Sequence, residues 1–533
     1  MTVSASRVQY IWSPILGWAL LTCSASLAVA QVGVAVPGVS DTPVTSSDQT
    51  TSAPGDQTGG TSTPSTAGGL SPIVTPAPVA RPNTFGDIAL PAGTTVANPS
   101  TQLIPGLSDT LGGAATSIYG GGANGISLAG FSGGGAPGGD ELGISVGSFR
   151  LYPAIDITTG ADNNVFATNN VGTATTTPTT TPTLSLSTVV APSLALRSDW
   201  LNHSINFMLG GGFGFYASAP TQNYQNYFLI VDGRIDVRED MALAYSFGYR
   251  RATEALGTAN VAFAQAPTVA ESFPVTLSLT KKFNRFSVEG GGGATRLWFQ
   301  DHSTITSGGL DALSRNRNAY EEHLRFGYEL TEDVTLFITP SITQTRYDLN
   351  PDTLGQTRDS STAALGLGAS WVINPTSTIF GNIGYASSSG AMGSTSAITF
   401  ALGGAWNGYT PLSIRPSLSR GITETALSAY RNTVTTTLGV EYSYQVFDEF
   451  ALVGGFSYSL SDYQPADPGT LGTAPPAGAR QDAFARGSIG FLWNPRPQFS
   501  IGPIFEYTQG SSSDPTGPAY TRQLLSIRLS ARR

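Results

Sequence analysis

Between Arg197 and Arg250 the chain alternates apolar and polar residues with period two through three consecutive runs of ten or more residues. In the first, Leu201, Ile205, Phe207, Leu209, Phe213 and Phe215 share one parity, and Asn202, Ser204, Asn206, Gly210, Gly212 and Gly214 the other. The second sets Tyr227, Leu229, Val231, Ile235 and Val237 against Asn226, Asp232, Arg234 and Asp236. In the third, Met241, Leu243, Tyr245, Phe247 and Tyr249 oppose Ala242, Ala244, Ser246, Gly248 and Arg250. Successive side chains of a strand point to opposite faces, so each run predicts a strand with one apolar face. A soluble sandwich gives the same alternation. Strand length and a short turn at one end with a long Gly/Ser/Thr-rich loop at the other instead match an outer-membrane barrel, whose two rims differ in this way.

The pattern continues to the last residues. Phe149, Leu151, Ile155 and Ile157 oppose Arg150, Tyr152 and Asp156, and Leu525, Ile527 and Leu529 oppose Arg522, Ser526 and Arg528. Short turns are expected near Asp199, Glu239, Asn284, Glu332, Pro375, Gly408, Asp448 and Asn494-Pro495, because Asn-Gly and Asn-Pro are strong turn formers. Long loops are expected between them, near 160–183, 217–222, 253–271, 301–317, 348–356, 386–395, 422–428, 464–479 and 510–518. Together they join about eighteen strands, an even number as single-chain bacterial barrels have. Only 12% of residues are charged, about half the share of a soluble domain. After the first thirty residues no apolar run is long enough for a membrane helix. The expected fold is all-β: a transmembrane antiparallel β-barrel over 148–533, preceded by a signal peptide over 1–30 and a disordered periplasmic tail over 31–147. The signal is read from Arg7, the run Ile15 to Leu21 and the small residues Ala28-Val29-Ala30. The tail is read from its Gly, Ser, Thr, Pro and Ala content, too poor in apolar residues for a core.

Trp200, Trp371, Trp406 and Trp493 all lie beside short turns, which predicts a periplasmic aromatic girdle where rings meet lipid headgroups. By parity the inward, lumen-lining positions include Arg150, Asp156, Arg197, Asp232, Arg234, Asp236, Arg250, Glu289, Glu321, His323, Arg325, Glu329, Arg415, Glu441, Arg486, Glu506, Arg522 and Arg528. Charges are costly in lipid and belong in a watered or self-paired interior. They line a channel or cross-link to close it. The net charge of −9 and the lack of a basic face speak against nucleic acid as a partner. With three His and one Cys there is little material for a metal site, and no cofactor is expected. Asp301-His302-Ser303 holds the letters of a hydrolase triad, yet neighbours on an extended chain point apart. His203 sits beside Trp200 near a turn and reads as interfacial. Asp162-Asn163-Asn164 reads as a polar loop apex, with calcium as the alternative. No enzyme is expected.

The phrases Val146-Gly-Ser-Phe-Arg-Leu-Tyr-Pro153, Asp162-Asn-Asn-Val-Phe166, Gly211-Gly-Phe-Gly-Phe-Tyr216, Asp232-Gly-Arg234, Tyr347-Asp-Leu349 and Asp462-Tyr463 resemble the putative beta-barrel porin 2 family of outer membrane beta-barrel proteins. The resemblance spans the chain from Gly147 onward. It implies a porin-like barrel in the Gram-negative outer membrane, serving either passive diffusion or polysaccharide passage. The alternative is an accessory or structural barrel of an exopolysaccharide export system with a plugged lumen. Implied partners are outer-membrane lipid and lipopolysaccharide, the barrel-assembly machinery and exopolysaccharide export components. Many such barrels end in an aromatic residue, whereas this chain ends Ala531-Arg532-Arg533.

Overall fold

The computed structural model describes residues 143–169, 182–254, 256, 268–300, 313–374, 377–406, 411–472, 477–515 and 517–533. The expected signal peptide, nearly all of the expected tail, and the Asp301-His302-Ser303 triplet lie outside them. Nineteen strands follow one another: β1 Ile144–Val146, β2 Phe149–Asp162, β3 Ser185–Ser198, β4 Ser204–Tyr216, β5 Tyr224–Arg238, β6 Met241–Thr253, β7 Val269–Phe283, β8 Phe286–Gln300, β9 Arg317–Glu329 and β10 Val334–Tyr347, then β11 Ser360–Asn374, β12 Ser377–Gly390, β13 Gly393–Ala405, β14 Leu412–Thr423, β15 Tyr430–Phe447, β16 Phe450–Pro465, β17 Arg480–Arg496, β18 Phe499–Ser512 and β19 Tyr520–Arg532.

From β2 onward every strand pairs antiparallel with the next, and β19 returns to β2 from Leu524–Asp162 to Arg532–Ala154. β1 is a three-residue flap on the first residues of β2, so the nineteen-stranded sheet closes as a barrel of eighteen. Closure satisfies the backbone groups that an open sheet would leave at its two edges. The wall therefore closes within residues 149–532. A signal-fused chain starting at Gly143 is expected to assemble, and its heat-modifiable gel mobility should match the full chain. Loss of that mobility shift in the short chain alone would make the preceding segment structural.

The alternation read from sequence has a physical outcome in exposure. Leu209, Leu229 and Phe247 on adjacent strands are 51%, 44% and 42% exposed. Inward neighbours such as Asp156, Thr280, Glu289 and Arg522 are buried. The outward apolar side chains have no protein to cover them, which is how a barrel meets lipid. A 14-residue strand such as β2 is about 46 Å long at roughly 3.3 Å per residue. Tilted by about 40°, it rises about 35 Å, more than the apolar band of about 25 Å. The surplus explains why β12 and β13 carry outward serines at their far ends: Ser389, Ser394 and Ser396.

Among the described residues short turns fall at one rim and longer loops at the other, with two departures from expectation; the turns expected at Pro375 and Gly408 and much of the loops expected near 160–183, 253–271 and 301–317 lie outside those residues. The run 386–395 is not a loop: β12 and β13 continue to Gly390–Gly393 and join through a tight turn. Gly393 has φ 115, a left-handed value that only glycine adopts at little cost. Asn494-Pro495 is not a turn but lies inside β17, where the register slips between Trp493 and Arg496. A bulge is where a sheet tolerates proline, because the missing N–H falls outside the ladder. The described strands also start slightly before 148, since β1 pairs with β2 across Gly147, with φ 61.

Candidate functional site

The inner face holds the charged side chains, and neighbouring strands pair them. Arg528 Nη2 donates to Asp156 Oδ1 at 2.8 Å, and Ser530 Oγ donates to the same oxygen. Arg522 grips Asp162 through Nε at 2.9 Å and through Nη2. Both contacts join β19 to β2, so the two ends of the wall are held by two buried ion pairs as well as by the ladder. Arg486 meets Glu506 at 2.7 Å across β17 and β18, and Arg415 stands directly opposite Glu441 across β14 and β15.

On the other side of the barrel, Arg325 stands opposite Glu289 and stacks on Phe337, 3.8 Å from the ring centre. His323 bridges two carboxylates: Nε2 lies 3.2 Å from Glu289 and Nδ1 3.9 Å from Glu321. Its ring occupies the space beside Gly291, where an added Cβ would come within 2.7 Å of it. The run Gly290 to Gly293 thus makes room for the side chain from the next strand. Glu329 takes Lys282 Nζ at 2.5 Å. Asp232 accepts from Asn206 Nδ2 at 2.9 Å, and Arg234 pairs with Asp236 at 2.5 Å.

Arg150 and Arg197 face each other in register near the short-turn rim. Arg150 lies 3.9 Å from Asp199, and Arg197 covers the Tyr152 ring at 5.3 Å. Arg250 sits inward opposite Phe228 and Ser272. The four tryptophans also collect at the short-turn rim. Trp200 packs edge-on against Phe149, and Trp493 stacks on Phe450. Trp371 pairs in register with Val334 at the start of β10, and Trp406 bridges to Ile414.

The sequence profile of the family described as Putative beta-barrel porin 2 matches residues 136–532. The chain belongs to this family. Its place is accordingly the outer membrane, and its fold that of the porin 2 barrels. No curated protein matches it. Among solved structures it is similar to OccK3 (OpdO) of Pseudomonas aeruginosa, at 11% identity and TM-score 0.35 over 72% of this chain and 95% of that one. It is also similar to a BenF-like porin of Pseudomonas fluorescens Pf-5, at 9% identity and TM-score 0.39 over 73% and 100%.

In this porin 2 chain the inner face also holds charges beyond those expected from the sequence. Asp162 shares its parity with Asp156, but its place before Asn163-Asn164 suggests a loop; it is instead the last residue of β2, paired with Leu524 of β19, and Arg522 fills its carboxylate. Asn164 then fastens the chain beyond, donating to Thr168 O and Thr521 O at 3.0 Å each. Lys282, one residue from a turn, carries no parity signal. Arg480 and Asp482 pair along one strand at 2.8 Å. His203 is tied to the wall, with its N–H donating to Asp236 Oδ2 at 2.9 Å and its Nδ1 accepting from Asp236 N at 3.0 Å.

At the long-loop rim the connections pack on one another. Gln356, fully buried, donates to Ser428 O at 2.9 Å and Leu471 O at 3.0 Å, so three loops share one amide. Arg358 donates to Thr425 O and Tyr430 O, and Arg315 pairs with Glu254 at 2.5 Å, both buried. Met392, Tyr430, Tyr463 and Leu471 form an apolar cluster between these segments.

Proposed function

We propose that this barrel is a passive pore whose water-filled lumen passes polar solutes or a polysaccharide chain. The observation that carries the reading is the inner wall itself. Charges of both signs stand inside a closed wall whose outside is apolar, an arrangement that needs water within or a partner for every charge. Barrels of 16 to 18 strands are wide enough to keep an aqueous lumen. Because most inner charges are neutralised by a neighbour, the lumen has little net field. From β11 to β16 its wall is mostly small and hydroxylic, as at Ser370, Thr399, Ser417, Thr437 and Ser459. Such a wall suits a neutral polyhydroxylated permeant better than a small ion of one sign. The short-turn rim with its tryptophans faces the periplasm in this reading, and both ends of the barrel segment lie there. Lipopolysaccharide surrounds the opposite rim, the assembly machinery inserts the wall, and no catalytic step is involved.

The packed loops at the long-loop rim favour a second reading. A barrel whose mouth is narrowed by interlocked loops also suits an accessory role in exopolysaccharide export, opened by export components.

Conductance in planar bilayers tests the pore. Under a KCl gradient the parent is expected to conduct with weak ion preference. Glu289→Gln/Glu321→Gln/Glu329→Gln leaves Arg325 and Lys282 without their carboxylates, so the reversal potential should move toward that of chloride. Fixed charges act on permeants within a screening length of about 8 to 10 Å. A barrel that is silent both as the full chain and from Gly143 onward would remove the pore reading and leave the accessory one.

A further inference from the structure

The wall is not uniform around its circumference. β13 is paired with β12 along its whole length, up to Gly390–Gly393, and β14 with β15 up to Thr423–Thr433. Between β13 and β14 the register covers only Phe400–Arg420 to Gly403–Ser417, with one further bridge at Trp406–Ile414. Above Phe400 the two strands part toward the long-loop rim.

The tip of β14 and β15 goes inward. Glu424 accepts from Tyr347 Oη at 2.9 Å and Ser360 Oγ at 3.1 Å, both on the inner face of β10 and β11. Arg431 Nε donates to Thr395 Oγ1 at 2.9 Å, on the inner face of β13. Ile422 and Val434, whose parity with Leu418 and Leu438 is that of the lipid-facing side, are 6% and 4% exposed. They pack instead on Ala386, with Ala364 and Ala397, which point inward from β11, β12 and β13. The tip therefore overlaps the inside of the preceding strands as a lapped joint.

Two features suggest that the joint opens. Its contact is made on alanines, which interlock with a neighbour far less than large side chains do. Its polar fastenings lie at the long-loop rim: Arg431 to Thr395, Arg431 to Asp467 at 3.1 Å, Asp467 N to Met392 O at 3.1 Å, and the contacts of Glu424, Gln356 and Arg358 described above. Unpaired strand edges are excluded from lipid unless they line a cavity or a path. At the foot of the joint stands Arg420, on the outward face beside Phe400. Its Nη1 donates to Thr436 Oγ1 at 2.6 Å, and among the described residues it has no ion pair. A lipid-side guanidinium without a carboxylate is costly unless it meets an anion.

We propose that the β13–β14 seam is a side exit from the lumen to the outer leaflet, closed by the β14–β15 tip, for an amphipathic molecule with an apolar body and an anionic head. It rests on the lumen being a path, which bilayer conductance tests separately. The full chain, with Cys23→Ser, carries Ala386→Cys/Ile422→Cys to lock the joint by a disulfide, and is reconstituted in liposomes with a diazirine fatty acid. Photolabelling and peptide mapping are then compared between oxidised and reduced protein. Labelling of inner-face residues near the joint should appear in the reduced protein and vanish in the oxidised one, while labelling at outward Leu365 and Leu367 stays constant. Equal inner-face labelling in both states would mean entry along the axis and would overturn the exit, as would its absence from reduced protein. If the double variant fails to assemble, Arg420→Gln decides. It should reduce inner-face labelling by the fatty acid about fivefold, the loss of one charge-assisted contact, and leave labelling by the corresponding diazirine alcohol unchanged. No difference between the two probes would overturn the role of Arg420 and the anionic head with it.

Discussion

Asp162→Ala is expected to destabilise the barrel by about 3 to 5 kcal/mol, the range for removing one partner of a buried ion pair. The reason lies in what remains. Arg522 is only 5% exposed and three of its hydrogen bonds go to the Asp162 carboxylate, so the substitution leaves a guanidinium in the wall without its counter-charge. Asp162 also accepts the Asn164 N–H at 3.0 Å and so shapes the exit from β2. The lesion falls where first and last strands meet, a junction formed by residues far apart in the chain. Urea unfolding in phospholipid vesicles, followed by tryptophan fluorescence, measures the effect. Asp162→Leu/Arg522→Leu should recover most of the loss, because an apolar pair leaves no unpaired charge. A single variant within about 1 kcal/mol of the parent would show that this pair does not hold the closure.

Period-two patterning made the strands and their faces legible, because a wall between lipid and lumen writes its two environments onto alternate residues. It said which side Asp156 and Arg528 take, but not that they meet. Parity assigns a face and leaves register open, and a pair separated by 372 positions has no local signal. Ile422 and Val434 show the same limit from the other side. Parity with Leu438 places Val434 in lipid, and Ile422 falls at the start of the loop expected near 422–428; β14 instead continues to Thr423, and the hairpin tip bends inward and buries both on alanines. What the sequence did hold was an inconsistency: Arg420, Asn432 and Thr436 occupy outward positions around them. Polar side chains at the upper end of an outward stripe are the trace of a strand that has left the lipid surface.

Turn chemistry misled in two places for related reasons. Asn494-Pro495 has the composition of a turn, but a bulge uses the same residues to the same end, namely backbone that leaves the ladder. The run 386–395 is rich in Ser and Gly and reads as a loop. It stands above the apolar band, where outward strand positions face water and lose their apolar signature. Composition there reports the solvent and not the secondary structure. The tight Gly390–Gly393 hairpin also leaves room for the neighbouring tip, since Arg431 and Asp467 crowd the space beside Gly393.

Val440→Arg is expected to destabilise the barrel by about 2 to 4 kcal/mol, the cost of a guanidinium on the lipid face near the bilayer midplane. Val440 lies mid-strand in β15, opposite Pro416 and Phe456, and lines an outward cleft with Phe456, Ile489 and Phe505. Of the cleft's other lining side chains only the hydroxyls of Tyr442, Ser488 and Tyr507 can accept a hydrogen bond, and none carries the negative charge that would offset a guanidinium. Ser443→Arg is the control. It lies on the same strand but on the inner face, two residues from Glu441, where water and a carboxylate are at hand, and should unfold within about 1 kcal/mol of the parent. Glu441→Arg would be a poor control, because it would set two guanidinium groups side by side across β14 and β15. Both variants are compared by urea unfolding in vesicles. Equal stability of Val440→Arg and Ser443→Arg would mean that the two faces of β15 do not meet lipid and lumen, and would return the chain to a soluble sandwich-like reading that the closed ladder otherwise excludes.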